Sequence, residues 1–110
     1  MPSADYDCAT LWEYQQAAER TASPDMPNAY FALGLCGEAG EASELVKKAE
    51  YHGHTLDKGK LTLELGDVLW HVAMLASRYG IDLQDVAEAN IEKLAKRYPN
   101  GFDPERSRNR

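Results

Sequence analysis

The chain has 110 residues, 44% of them apolar and 27% charged, which is enough for one soluble domain with a core of its own. Its net charge of −6 disfavours non-specific binding to nucleic acid, no apolar run approaches a membrane span, and no charged-then-apolar leader opens the sequence. The two cysteines, Cys8 and Cys36, form no CxxC, so reduced thiols in a cytoplasmic compartment are expected.

Four helices are predicted in chain order. The first starts at Thr10, a hydroxyl suited to capping, and runs to Thr21 with Leu11, Tyr14 and Ala18 on one side. Pro24 and Pro27 punctuate a turn. The second helix covers Ala29 to Tyr51 and holds Gly34, Gly37 and Gly40, each costing about 1 kcal/mol against Ala. Glycines at this spacing point to the close approach of another backbone or a ligand. After a polar connection from His52 to Gly59, Asp57 is placed to cap a third helix ending at Tyr79, with Gly80 as its stop. Asp82 is placed to cap a fourth helix from Leu83 to Tyr98, with Asp85 as its acidic partner and Pro99 beyond it. From Asp103 to Arg110 the chain has almost no apolar residues, and a tail without fixed structure is expected. The fold class read from this pattern is all-α, with 1–102 as the domain and 103–110 as the tail.

Two acidic pairs stand out. Residues three or four apart share a helix face, because the α-helix turns about 100° per residue. Glu38 and Glu41 start from a face carrying Phe31, Leu35, Ala42, Leu45 and Ala49, and Glu64 and Asp67 from one carrying Leu61, Val68, His71 and Leu75. A carboxylate among leucines must neutralise, pair or hold a cation, since burying it alone is costly. Convergence of Glu38, Glu41, Glu64 and Asp67 from two packed helices is best explained by divalent cations. Hard oxygen donors without clustered Cys or His favour Mg²⁺ over zinc. ExxE alone is weak, because solvated helices repeat glutamates; Glu44 with Lys48 reads as an ordinary surface pair.

The fourth helix adds Asn90, Lys93 and Arg97 on or near the face of Leu83, Val86 and Leu94. An amide, an ammonium and a guanidinium beside an acidic metal site suit a phosphate chain. The plainer reading is a boundary stripe whose cationic stems reach to water. His71 reads as a satisfied core histidine rather than a ligand. His52 and His54, with Lys58 and Lys60, face either phosphate or solvent. Trp12, Tyr14, Tyr30, Phe31 and Trp70 could stack a base, but aromatic residues in helices are more often core.

At these residues the chain resembles the MazG-type nucleotide pyrophosphohydrolases of the all-α NTP pyrophosphatase superfamily. The stretches that carry the likeness are LGLCGEAGEASELVKK from Leu33, YHGHTLD from Tyr51, ELGDVLWHVA from Glu64 and ANIEKLAKRYPNGF from Ala89, in the family's order and spacing. The resemblance implies a four-helix MazG-like bundle assembled as a homodimer or homotetramer, with active sites completed near subunit interfaces. It implies that Glu38, Glu41, Glu64 and Asp67 bind Mg²⁺, for which Mn²⁺ can substitute, and that Asn90, Lys93, Arg97 and Tyr98 contact the triphosphate. The implied reaction is hydrolysis of a nucleoside triphosphate, deoxy or noncanonical, to monophosphate and pyrophosphate, a nucleotide-pool sanitising activity, with Glu41 ahead of Glu38 as base. No base pocket can be aligned. Alternatives are an alarmone- or diphosphate-directed hydrolase and a non-catalytic helical oligomerisation module. A di-iron carboxylate bundle is set aside, because no Glu is followed three residues later by His.

Overall fold

Five helices order the chain in a computed structural model that describes residues 8–109: α1 (Leu11–Glu19), α2 (Asn28–Tyr51), α3 (Lys58–Arg78), α4 (Leu83–Arg97) and α5 (Pro104–Arg108). The described residues are all-helical, with no named strand. Local signals set most of the boundaries. Thr10 Oγ1 accepts the Glu13 N–H and the Glu13 carboxylate accepts the Thr10 N–H, each at 3.0 Å, so two orphan donors at the start of α1 are satisfied reciprocally. Asp57 accepts the Lys60 N–H at 3.1 Å at the start of α3. Gly80, at φ +68°, ends α3 in the left-handed conformation, and the Ile81 N–H closes back onto the Ala76 carbonyl at 2.9 Å.

The short connection of residues 52–57 folds α2 and α3 back on each other, and this pair makes the most extensive contact in the chain. α1 lies across α3 and the start of α4. The core gathers where these meet: Ala18, Phe31, Ala73, Met74 and Leu83 are buried, with Leu11, Tyr14, Met26, Trp70 and Leu75 packed around them. Arg78 extends over the Phe31 ring, 5.6 Å from its centroid, and donates to Asn28 Oδ1 at 2.8 Å, tying the end of α3 to the start of α2.

One buried polar side chain organises the junction. Gln15 donates to Ser77 Oγ at 2.9 Å and to the Ile81 carbonyl at 3.0 Å, while its Oε1 accepts the Leu83 N–H at 2.8 Å. That last bond satisfies the first amide of α4, whose expected cap is different: Asp82 makes no side-chain capping bond, and Asp85 has no reciprocal role there. A partner 68 residues away replaces the local cap. Another difference lies at the C-terminus, where residues expected to lack structure form α5. Asp103 Oδ1 accepts the Glu105 N–H at 3.0 Å and Pro104 occupies the first turn, a self-contained helix start that needs no apolar face.

The fourth helix departs most from expectation. Only Leu83 of α4 is buried; Val86, Ile91 and Leu94 are exposed, Ile91 by 65%. Beyond its first turns α4 leaves the other helices, so its apolar stripe is uncovered within one chain. The Cα radius of gyration, 16.9 Å, accordingly exceeds the roughly 13 Å of a compact domain this long. Of the α2 glycines, Gly34 alone meets a close neighbour, and Gly37 and Gly40 face open space.

Gln15→Leu should therefore destabilise the chain by about 2–4 kcal/mol, because it strands the Leu83 N–H and the Ile81 carbonyl together. Urea unfolding measures this, and a loss under 0.5 kcal/mol would contradict the assigned role.

Candidate metal centre

Glu38 and Glu64 face each other because His71 sits against Gly34. A Cβ built at Gly34 would lie 2.5 Å from His71 Cδ2 and closer still to its Nε2, so only glycine lets the imidazole pack onto the α2 backbone. The ring is buried. Its Nδ1 bonds the Asp67 carbonyl at 2.9 Å and, facing an oxygen that can only accept, carries the proton. Tyr30 stacks on one side of the ring, and Trp70 meets it edge-on at 4.8 Å. With α2 and α3 held this close and antiparallel, one turn along α2 from Gly34 reaches Glu38, and two turns back along α3 from His71 reach Glu64.

One carboxylate oxygen each from Glu38, Glu41 and Glu64 lies within 4.8 Å of the others. Glu38 and Glu64 are half-buried, and Glu41 is exposed at the rim. Glu38 Oε2 and Glu64 Oε2 are sealed from solvent and have no hydrogen-bond partner. Burial first, then the neighbouring Glu41 carboxylate, then the charge of Asp67 raise the pKa of both Glu38 and Glu64 above the ordinary 4.5; Lys60 pulls Glu64 weakly the other way. With two sealed oxygens unpartnered and only oxygen donors, this set fits a hard divalent cation, which would supply both the missing ligand and the missing positive charge.

Asp67 lies outside the three-carboxylate group, exposed on α3 and within electrostatic reach of both half-buried glutamates. Its charge, after burial, also raises the Tyr14 phenol above its usual value, which puts Tyr14 of α1 at the edge of the same site. The sequence places Tyr14 on one side of α1 with Leu11 and Ala18, and among the aromatics, but carries no sign of its link to the carboxylates.

Asn90 and Lys93 are exposed and Arg97 and Tyr98 half-buried on α4, which has no extensive contact with the α2 helix of Glu38 and Glu41. They do not share a buried stripe as expected, because the stripe itself is uncovered. Lys93 and Arg97 instead line a cleft between α4 and α5. His52 and His54 are exposed in the α2–α3 connection. Glu44 pairs with Lys47 at 3.3 Å rather than with Lys48, an exposed contact of little energetic weight. Cys8 and Cys36 are both free and exposed.

A family model for the MazG nucleotide pyrophosphohydrolase domain matches residues 28–102, which spans α2 to α4 and every residue of the carboxylate group. The chain belongs to the MazG family. Gene 37 protein of Mycobacterium phage L5 is 40% identical to it over 76 residues, covering 66% of this chain and 67% of the phage protein. Uncharacterized protein YvdC of Bacillus subtilis (strain 168) is 38% identical over 73 residues, covering 58% of this chain and 69% of its own. No solved structure matches. No helix among the described residues is long and apolar enough to cross a membrane.

The raised pKa values fix the sign of a pH effect in this MazG-family domain. A carboxylate whose folded pKa lies above its unfolded 4.5 binds protons more tightly when folded. Protonation therefore stabilises the metal-free fold below 4.5, and that contribution is lost as pH rises through the raised value. Glu38→Gln removes the ionisation, so in EDTA it should melt above wild type at pH 7.5, with the gap closing as pH falls toward 4.5. Thermal melts across that range test this; a variant that melts below wild type at pH 7.5 would contradict it.

Proposed function

We propose that this chain is a Mg²⁺-dependent nucleoside triphosphate pyrophosphohydrolase that converts deoxy or noncanonical substrates to monophosphate and pyrophosphate, and so cleans a cytoplasmic nucleotide pool. The observation that carries the reading is the pair of sealed, partnerless oxygens, Glu38 Oε2 and Glu64 Oε2, with Glu41 beside them. Such oxygens are held together by protons or by cations, and phosphoryl chemistry needs cations held on one side and exposed to substrate on the other.

Glu38, Glu41, Glu64 and Asp67 would hold the metal. Mg²⁺, when bound, neutralises phosphate oxygens and acidifies water. Glu41, exposed at the rim, is the side chain that both reaches the group and meets solvent, and it takes the proton of the attacking water, with Glu38 as second candidate. Water adds to the α-phosphorus, the bond from that phosphorus to the bridging oxygen breaks, and pyrophosphate departs with the electron pair. Asn90, Lys93, Arg97 and Tyr98 bind the phosphate chain, the two cations offsetting charge that grows on the leaving group.

The same reading includes a homodimer or homotetramer. Its support is the uncovered apolar surface: Leu33 and Leu63 are each 72% exposed, alongside Leu65, Ile91 and Leu94. A second copy laid over α3 and α4 closes the four-helix bundle that one chain leaves open and brings α4 phosphate contacts into range of the carboxylates.

A panel of common, deoxy and damaged nucleoside triphosphates with Mg²⁺, read by pyrophosphate release, tests the proposal. At least one should yield monophosphate and pyrophosphate, with turnover lowered about 100-fold or more in Glu64→Gln. Undiminished turnover in that variant, or orthophosphate as the only inorganic product, would refute it.

A further inference from the structure

A cleft of about 670 Å³ opens between the end of α4 and α5, lined by Lys93, Lys96 and Arg97 on one wall and by Asp103, Glu105, Arg106 and Asn109 on the other. Lys93 and Arg97 are four apart and share a face of α4; Arg106 of α5 and Asn109, the residue that caps its end, are three apart on the other wall. Gly101 at φ +91° turns the chain between them, and the Tyr98 and Phe102 rings meet across that turn with centroids 5.5 Å apart.

The cleft's cations, Lys93, Lys96, Arg97 and Arg106, outnumber its acids, Asp103 and Glu105. The Asp103 carboxylate is committed to the first turn of α5, where it accepts the Glu105 N–H. Lys96 is held by Glu92 at 3.5 Å. Lys93, Arg97 and Arg106 have no carboxylate within ion-pair distance among the described residues. In a chain of net charge −6, this lining is net positive, with the Asn109 amide beside its cations. Guanidinium forks from opposite walls match the oxygens of a polyphosphate, not of a lone carboxylate.

We infer that the α4–α5 cleft is a polyphosphate cradle in which Arg106 and Asn109, lying past the 28–102 span of the family match, complete the phosphate contacts of Lys93 and Arg97. Taking the bound group to be the distal phosphates of a nucleotide rests on the proposed hydrolase reading; the cradle itself does not. Arg106 therefore acts on substrate affinity, holding the part of the molecule that leaves as pyrophosphate.

Calorimetric titration with inorganic tripolyphosphate in EDTA at low salt tests the cradle without metal or turnover. Wild type should bind, Arg106→Ala should bind about tenfold more weakly with an unchanged melting temperature, and Arg106→Lys should fall between. Arg108→Ala removes the same charge from α5 at a residue that does not line the cleft, and it should match wild type. With the best nucleotide, Arg106→Ala should raise KM by a similar factor. Wild type failing to bind, Arg106→Ala binding as wild type, or Arg108→Ala losing as much would each overturn the cradle. If no nucleotide is hydrolysed but Arg106→Ala still loses tripolyphosphate, the cradle stands and the hydrolase reading falls. If hydrolysis proceeds with KM and tripolyphosphate affinity untouched by Arg106→Ala, the hydrolase reading stands and the cradle falls.

Discussion

Two carboxylate oxygens, on Glu38 and Glu64, are shut away from water between α2 and α3 with nothing to bond to. The helix pair is otherwise ordinary: apolar faces, a short connection, clear stops. Its one expensive feature is this concentration of negative charge, worsened by Glu41 and Asp67 nearby. Left ionised and unpartnered, these groups push the helices apart. Protonated or bound to a cation, they hold them together. The Gly34–His71 contact makes the arrangement possible, because it brings the α2 backbone close enough for the glutamates to converge.

The convergent carboxylates of α2 and α3 lie apart from the cations of the α4–α5 cleft, which sit beyond the point where α4 leaves the other helices. Within one chain these are separate features. A polyanion held by cations on both its sides needs them brought together, and the uncovered leucines of α3 and α4 supply a reason for two chains to do so. Under the proposed assembly, the distance between the two sites and the apolar exposure share one explanation.

Much of this was legible in the sequence because the signals were local. Thr10 with Glu13, Asp57, and Gly80 before Ile81 each carry their instruction within a few residues, and the structure follows them. Glu38 and Glu64 stood out because they interrupt apolar stripes, and the same interruption appears as burial in three dimensions. What escaped was set at a distance. Asp82 was a reasonable cap, but Gln15 reaches the Leu83 amide first, and nothing in residues 80–85 announces that. The α4 stripe was expected to be covered, but periodicity says that a face is apolar and not which chain buries it. α5 has no apolar face to announce it, although Asp103, Pro104 and Glu105 spell a helix start that stands without a core. Gly34 was expected to admit a close neighbour and does so, to a histidine ring rather than to a backbone.

The most direct test of the account is a count of bound cations. Mn²⁺, a paramagnetic substitute for Mg²⁺, can be titrated with its free fraction followed by electron paramagnetic resonance. The account predicts saturable binding to wild type that is lost in both Glu38→Gln and Glu64→Gln while each variant stays folded. Equal Mn²⁺ uptake by all three proteins, or none by wild type, would contradict it.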